Sequence, residues 1–192
     1  MTTGRPREFD IDERLERAMR VFWRQGYEGT ALSDLTAAMN INRPSLYAAY
    51  GNKEALFLRA VDRYETGPAG YVGRAYAEPT ARATAESLMR GAVALTTSEP
   101  RGCLFVQGAL ATGPGSASVR TELAARRQAA HTKLRDRFDR ARAAGELPAD
   151  IDPDALARSI WATTYGLAVQ AAGGATAAEL NRAVDLVMAT FP

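Results

Sequence analysis

The sequence predicts an all-α protein of about nine helices, and three observations point to this fold class. No stretch shows the sustained alternation of apolar and polar residues that marks a half-buried strand. Apolar residues instead recur at spacings of three and four along most of the chain. Glycines and prolines fall between these periodic segments, where they end one helix or begin the next. The 192 residues are enough for one or two small domains with a substantial core.

The first four predicted helices are close together in the sequence. The first covers about residues 10–25, and Gly26 is placed to end it. Two short helices follow at about 33–39, with Thr30 or Ser33 as cap, and 43–51, with Pro44 in the first turn. The break between these two short helices is Asn40-Ile41-Asn42, and Asn52 can cap a fourth helix over about 52–66.

The helical spacing of apolar residues stops at residues 66–70. The sequence beyond this point predicts five further helices and contains no internal repeat. They cover about 80–97, 102–111, 116–144, 153–172 and 177–191, separated by glycines and prolines. We therefore expect an N-terminal three-helix domain over residues 1–53 and a second helical domain over 54–192. The fourth helix would link the two domains.

Composition narrows the class of protein further. The chain is 46% hydrophobic and 24% charged, which is ordinary for a folded protein. Its single cysteine and single histidine cannot build a disulfide or a zinc cluster, so we expect no metal and no cofactor. No apolar run approaches the roughly 20 residues of a membrane span, and the polar start of the chain is unlike a secretory signal. We expect a cytoplasmic protein without membrane association.

Two short helices joined by a three-residue turn, packed on a longer first helix, make a helix-turn-helix layout. The second short helix would enter the major groove, where its first turn offers hydrogen-bonding groups to base edges. Flanking side chains would contact phosphates. Candidate DNA-binding residues are Asn42, Arg43, Pro44 and Ser45 in the first turn, Tyr47 on the outer side, Lys53, Thr30 and Ser33 nearby, and Arg5 and Arg7 in the preceding arm.

Charge alone does not indicate a nucleic-acid binder. The whole chain has a net charge of only +2, with 24 basic and 22 acidic residues. Residues 1–53 hold eight basic and seven acidic side chains. A DNA-binding face therefore requires that the acidic residues of the first helix lie away from it.

A characteristic spacing supports the helix-turn-helix interpretation. It is carried by Phe22, Gly26, Tyr27, Thr30, Asp34, Leu35, Met39, Ile41, Ser45, Leu46, Tyr47, Tyr50, Lys53, Glu54 and Leu56. In this register the segment resembles the DNA-binding domain of the TetR/AcrR family of transcriptional repressors. Two positions depart from the family pattern, because Tyr50 stands where Phe is usual and Pro44 where a small or polar residue is common.

The resemblance implies a homodimer that binds double-stranded operator DNA and is released by a small-molecule effector. It implies a regulator rather than an enzyme, with the effector bound in the C-terminal domain. It also implies that the last two helices pair with their symmetry mates as a four-helix bundle. The candidate interface residues are Leu156, Ile160, Leu167, Leu180, Val184, Val187, Met188 and Phe191. The same apolar stripes would equally serve a core within one chain.

Candidate pocket residues are side chains with aromatic or polar groups placed among apolar helix faces. They are Cys103, Phe105, Gln107, His131, Trp161 and Tyr165, with Tyr71 and Tyr76 as further possibilities. Each would also suit ordinary packing. The predicted helix at 116–144 carries seven basic residues between 126 and 142, which suits a solvated face or the entrance for an acidic ligand.

Cys103 opens two alternatives. At a helix start beside Arg101, its thiolate would be favoured by the helix dipole and the positive charge, as in a redox or electrophile sensor. A small thiol enzyme would need His131 as its base, but the sequence offers no identifiable acid to orient that pair. A third interpretation, a helical adaptor, leaves the short-helix pair with Tyr47 and Lys53 unexplained.

Overall fold

A computed structural model describes residues 8–98, 102–110 and 116–192, and in these ranges the chain is helical without strands. The all-α prediction is therefore confirmed. The helices are α1 (Glu8–Gly29), α2 (Leu32–Met39), α3 (Arg43–Tyr50), α4 (Lys53–Thr66), α5 (Tyr71–Ala75), α6 (Ala81–Thr96), α7 (Leu104–Leu110), α8 (Ala117–Ala143), α9 (Pro153–Ala172) and α10 (Ala177–Ala189). Within the same ranges, no helix combines the length and the apolar character that a bilayer crossing requires.

The first helix is interrupted where the sequence predicted its end. Gly26 has φ +70°, a conformation that glycine adopts without strain, and the chain makes one more short turn to Gly29. The Thr30 hydroxyl donates to the Gly26 carbonyl oxygen at 2.6 Å and holds this kink. Neither Thr30 nor Ser33 caps α2. Ala31 is its N-cap residue, and the Ala31 N–H donates to Asp34 Oδ2 at 3.1 Å.

The turn between α2 and α3 forms at the predicted break. Asn40 adopts the left-handed conformation, with φ 52° and ψ 52°, and ends α2. Asn42 then caps α3, because its Oδ1 accepts a hydrogen bond from the Ser45 N–H at 2.9 Å. Pro44 lies in the first turn of α3, where no intrahelical N–H is needed.

One apolar core joins α1–α4 to the C-terminal part of the chain. The rings of Phe22 and Phe57 lie edge to face at 5.0 Å, and those of Trp23 and Tyr64 at 4.9 Å. Leu123 of α8 is buried in the same cluster, together with residues of α7. The buried face of α4 therefore packs on both parts of the chain.

A short helix that the sequence did not predict follows α4. A single 3₁₀ turn, Pro68–Gly70, leads directly into the five residues of α5. Residue 91 must be glycine for α5 to pack on α6, because a Cβ there would lie 2.2 Å from the Tyr71 ring. Five residues with a glycine in the middle are too few to show helical periodicity, so the sequence pattern gave no sign of this element.

A second apolar core is built from α6, α8, α9 and α10, and it contains the residues expected at the dimer contact. Ile160, Leu167, Leu180, Val184 and Met188 are buried in this core, and Leu156, Val187 and Phe191 pack against it. Within a single chain, five of these residues are therefore enclosed by the core, and the other three are partly buried at its edge. The opposite faces of α9 and α10 expose two large apolar side chains instead, Val169 at 52% and Leu186 at 72%.

Candidate nucleic-acid interface and effector cavity

The outer face of α3 presents the first-turn residues that the sequence singled out. Asn42, Arg43, Pro44 and Ser45 are exposed, and Tyr47 is 48% exposed. Leu46 and Tyr50 are buried on the opposite side. The helix contains no acidic residue, and Arg43 is its only charged side chain. Because Asn42 uses Oδ1 for its cap, its amide N–H groups remain available to a base or a phosphate.

Two hydrogen bonds fix α3 against its neighbours. The Tyr50 hydroxyl donates to the Ile11 carbonyl oxygen of α1 at 3.0 Å. Arg59 Nη1 of α4 donates to the Ala49 carbonyl oxygen at 3.2 Å, and the Arg59 guanidinium lies 5.6 Å from the centre of the Tyr50 ring. Arg59 was not among the predicted residues, since nothing in a sequence shows which backbone carbonyl a distant arginine will reach.

The residues expected to contact phosphates beside α3 differ from one another in exposure and contacts. The Lys53 ammonium lies 4.5 Å from the centre of the Tyr27 ring, and burial lowers the pKa of Lys53 while Glu28 acts in the opposite direction. Ser33 is exposed. The Thr30 side chain is buried with its hydroxyl already bonded, so it does not present the expected phosphate contact. Arg5 and Arg7 lie outside the described residues.

Two acidic residues of α1 are engaged by arginines. Glu13 pairs with Arg17 on the same helix. Glu16 lies 3.2 Å from Arg20 and 3.3 Å from Arg63, so it bridges α1 and α4. Two of the seven acids of the N-terminal region are therefore neutralised by arginines of α1 and α4.

A cavity of about 210 Å³ lies between the α4–α5 connection, α7, α8 and α9. It brings together three of the predicted pocket residues, Phe105, Trp161 and Tyr165. The Trp161 and Tyr165 rings are stacked with their centres 5.4 Å apart and their planes 22° apart. The other lining residues are Glu65, Ala69, Val72, Gly73, Arg126, Arg127 and Ala130. The cavity is therefore mainly apolar, with three charged side chains.

Hydrogen bonds order the aromatic wall. Trp161 Nε1 donates to the Ala130 carbonyl oxygen at 3.3 Å, and the Tyr76 hydroxyl donates to the same oxygen at 3.0 Å. Burial raises the pKa of Tyr76 to about 12. Burial also raises the pKa of Tyr165, with Cys103 adding to the effect and Arg127 opposing it. Both phenols are therefore neutral hydrogen-bonding groups at physiological pH.

The other predicted pocket residues do not line this cavity. Gln107 lies beside Gly26 and Gly102, near the contact between α1 and α7. His131 lines an adjoining open groove, and its Nε2 lies 3.5 Å from Asp154 Oδ1. Cys103 is half-buried and accepts a hydrogen bond from the Tyr64 hydroxyl at 3.6 Å. His131 thus pairs with Asp154 and not with Cys103, which does not support a thiol enzyme.

An ion-pair network that the sequence did not predict connects the cavity to α4. Arg126 Nη1 lies 2.7 Å from Asp62 Oδ1 and 2.8 Å from Glu65 Oε2, and Arg126 Nε lies 2.8 Å from Glu122 Oε1. Burial raises the pKa of the Glu65 carboxyl, and Arg126 counteracts this rise. The α4 and α8 partners are 61 and 64 residues apart in sequence, so spacing alone gave no signal for them.

Comparisons with known proteins agree with this architecture. Residues 15–60 match the family model of bacterial regulatory proteins of the tetR family, and residues 81–187 match the tetracyclin repressor-like C-terminal domain. The HTH-type transcriptional repressor ComR of Escherichia coli (strain K12) is 30% identical over 98% of this chain and 92% of its own length. The HTH-type transcriptional regulator YezE of Bacillus subtilis (strain 168) is 37% identical over 81% of this chain and 82% of its own length.

A solved structure is also similar over almost the whole chain. A cysteine mutant of the TetR family transcriptional regulator CifR, in complex with a 26-base-pair operator DNA, has a TM-score of 0.91 and 42% identity. The match covers 98% of this chain and 100% of that chain. The family models, the relatives and the helix-turn-helix geometry lead to one conclusion: the chain belongs to the TetR family of DNA-binding transcriptional regulators.

Proposed function

We propose that this protein is a homodimeric repressor, acting in the cytoplasm, that leaves its operator when a small molecule binds the cavity. The exposed first turn of α3, which carries Arg43 and Ser45 and no carboxylate, is the observation that carries the proposal. The operator-bound structure of the similar regulator CifR supports DNA as the partner.

The side chains of α3 divide into two roles. Arg43 at the exposed N-terminus of the helix would donate to guanine O6 and N7, the commonest specific contact in the major groove. Asn42 and Ser45 add further donors in the same turn. Tyr47 and Lys53, on the outer side and at the start of α4, would contact phosphates and fix the register without reading sequence.

The outer faces of α9 and α10 supply the surface for a second copy. Ala162, Gly166 and Val169 form an exposed stripe of small residues on α9, and a side chain at Gly166 would meet no other atom. Leu186, the most exposed large apolar residue described, lies on α10. A two-fold axis through this surface would set two α3 helices about one DNA turn apart, roughly 34–36 Å.

Effector binding would act on α4. Glu65 lines the cavity from the end of α4, and α4 also holds α3 through Arg59. A ligand that displaces Glu65 or its partner Arg126 would move α4 and change the spacing of the two α3 helices. The effector shifts the equilibrium only by its difference in affinity between the two states.

The DNA-binding role is tested by selecting bound sequences from random DNA and then titrating the protein with the selected duplex. With about six phosphates contacted per dimer, log K should fall against log[salt] with a slope of roughly −5. Arg43→Ala should weaken binding to the selected sequence by about 1–3 kcal/mol and leave random DNA little affected. Arg140→Ala, an exposed arginine of α8, is the matched control. Binding that is independent of salt, or equal for selected and random DNA, would contradict the proposal.

A thiol-based sensor is a second candidate function. Cys103 lies just before α7 and contacts Tyr64 of α4, so a group added to its sulfur would push against α4. The similar CifR structure is itself a cysteine mutant. Treatment with iodoacetamide should release the wild-type protein from the selected duplex and leave Cys103→Ser bound. Equal retention of both proteins would exclude this function.

A further inference from the structure

The charged groups of the cavity differ in how they are neutralised. Glu65 and Arg126 both line it, and they pair with each other at 2.8 Å. Arg126 has two further carboxylate partners outside the cavity lining, Asp62 and Glu122. Three carboxylates therefore share the single positive charge of Arg126, and Glu65 is one of them.

Arg127 is the third charged residue of the lining and has no such compensation. Among the described residues, no carboxylate lies within 4 Å of its guanidinium, and its hydrogen bond is a long one from Nη1 to the Phe105 carbonyl oxygen, at 3.5 Å. Arg127 also lines the adjoining groove, so it lies where that groove and the cavity meet. A half-buried guanidinium without an acidic partner favours an anion at this position.

The remaining lining sets the shape of the occupant. Trp161 and Tyr165 present stacked rings, and Phe105 adds a third aromatic side chain. The volume of about 210 Å³ is below the roughly 300–1,000 Å³ of pockets that enclose drug-sized ligands. A single ring or a short hydrocarbon chain is the size of molecule that fits.

We infer that the effector is a small organic anion, a monocarboxylate with a flat or short apolar body, whose carboxylate pairs with Arg127. This inference rests on the effector role proposed above and names the chemical class. The apolar body would lie against Phe105 and the Trp161–Tyr165 pair. Arg127 is the charged group of this lining without an oppositely charged partner among the described residues, and a carboxylate would supply that partner.

Calorimetric titration of the DNA-free full-length protein with three aromatic probes of one size, and with hexanoate as a carboxylate with a short chain, tests this inference. Benzoate should bind, benzamide should bind about tenfold to a hundredfold more weakly, and benzylamine should not bind, because only benzoate forms a charge-assisted pair. Equal binding of benzamide, tighter binding of benzylamine, or no binding of benzoate and of hexanoate alike would overturn the inference.

Variants at Arg127 assign the effect to this residue. Arg127→Met should lose benzoate affinity by the same tenfold to hundredfold, and Arg127→Lys should recover part of it because the charge returns. Arg140→Met, on the same helix and exposed, should bind benzoate like the wild type. Matching thermal unfolding curves establish that the variants are folded. Unchanged affinity in a folded Arg127→Met variant would contradict the assignment.

Release of the selected duplex, measured by fluorescence anisotropy of labelled DNA, separates this inference from the proposed function. Benzoate that binds through Arg127 without releasing DNA would leave the anion site standing and overturn the effector role. Release by a neutral molecule, unchanged in Arg127→Met, would support the effector role and overturn the anion site. Release by benzoate that is lost in Arg127→Met would support both.

Discussion

The indole N–H of Trp23 donates to the carbonyl oxygen of Gly102 at 2.9 Å, although the two residues are 79 positions apart. Both residues are buried. The bond joins the middle of α1 to the segment that leads into α7, next to Cys103. It is one of the polar links between the DNA-binding helices and the part of the chain that carries the cavity.

Loss of this bond should lower the stability of the whole chain. Trp23→Phe keeps an aromatic ring but leaves the Gly102 carbonyl without its donor, so the free energy of unfolding should fall by about 1–3 kcal/mol. Urea unfolding monitored by circular dichroism measures the change in the free energy of unfolding. Tyr47→Phe, which alters an exposed side chain, should stay within about 0.5 kcal/mol of the wild type. Identical midpoints for Trp23→Phe and the wild type would show that the bond contributes nothing.

The Tyr50 hydroxyl gives a second test, close to the DNA-binding helix. Tyr50→Phe keeps the buried ring and removes the hydroxyl that donates to the Ile11 carbonyl oxygen, so stability should fall by about 0.5–1.5 kcal/mol. Hydrogen exchange should become faster at the start of α1, because its tie to α3 is lost. Unchanged exchange there would mean that the hydrogen bond from Tyr50 to Ile11 does not hold the start of α1 against α3.

Two leucines of α10, one exposed and one buried, test the proposed dimer surface against the core. Leu186→Glu places a charge on the exposed face and should give monomers that bind the operator poorly, with little loss of monomer stability. Leu180→Ala, in the core of one chain, should lower stability by about 2–5 kcal/mol and leave the folded protein dimeric. Analytical ultracentrifugation and urea unfolding measure the two effects. Monomers from Leu180→Ala and dimers from Leu186→Glu would instead assign the interface to the buried apolar residues of α10.

The Arg126 network should make stability depend on pH in a defined direction. Burial raises the pKa of Glu65 in the folded protein above its ordinary value of 4.5. Its contribution to stability therefore falls as the pH rises from the pKa of the unfolded chain to that of the folded protein. Arg126→Met removes the charge that opposes this rise, and the interval should extend upward. We expect a loss of about 1 kcal/mol at pH 7, since solvent screens the partly exposed acceptors.

That loss should shrink as the pH is lowered toward 4.5, because a protonated Glu65 has no buried charge left to compensate. Urea unfolding of wild type and Arg126→Met at several pH values measures it. Arg140→Met serves as the control for removing an arginine from α8. A difference that is constant across this range, or that grows toward acid, would show that Glu65 is not the group responsible.

Close packing between α7 and α8 depends on residue 108. A Cβ at Gly108 would lie 2.3 Å from Leu123 Cδ1, and Leu123 is fully buried. Gly108→Ala should therefore cost about 1–3 kcal/mol through overpacking. Adding Leu123→Val, which shortens the facing side chain, should cost less in the Gly108→Ala background than in the wild type. Strictly additive losses in unfolding experiments would show that the two residues do not clash.

Much of the fold follows from periodicity and from the residues that end helices. Gly26, Asn40 and Asn42 each interrupt or cap a helix as their chemistry suggests, and the helix boundaries around the turn were predicted on that basis. The short helix α5 was missed because its five residues make little more than one turn, so no apolar stripe can repeat along it. Local signals identify local structure, and α5 is held mainly by packing on α6.

In the candidate sites too, features of a single helix were predictable and contacts between helices were not. Exposure of Arg43 and Tyr47 on α3 matches the expected outer face, since one helix defines that face. The apolar stripe of α10 gave no choice between a core and a dimer contact, because burial in either place selects the same residues. The partners of Arg126 and Arg59 lie on another helix, so only the packed structure reveals them.

The aromatic core shared by α1 and α4 limits how this regulator can be re-engineered. A chimera joined at residue 53 would take α1 from one parent and α4 from the other, and the Phe22–Phe57 and Trp23–Tyr64 contacts would have to match across parents. Exchange of α1–α4 as one block keeps those contacts but still requires a compatible backbone at Gly102. Retargeting to a new operator is therefore best attempted by substitutions on the outward face of α3.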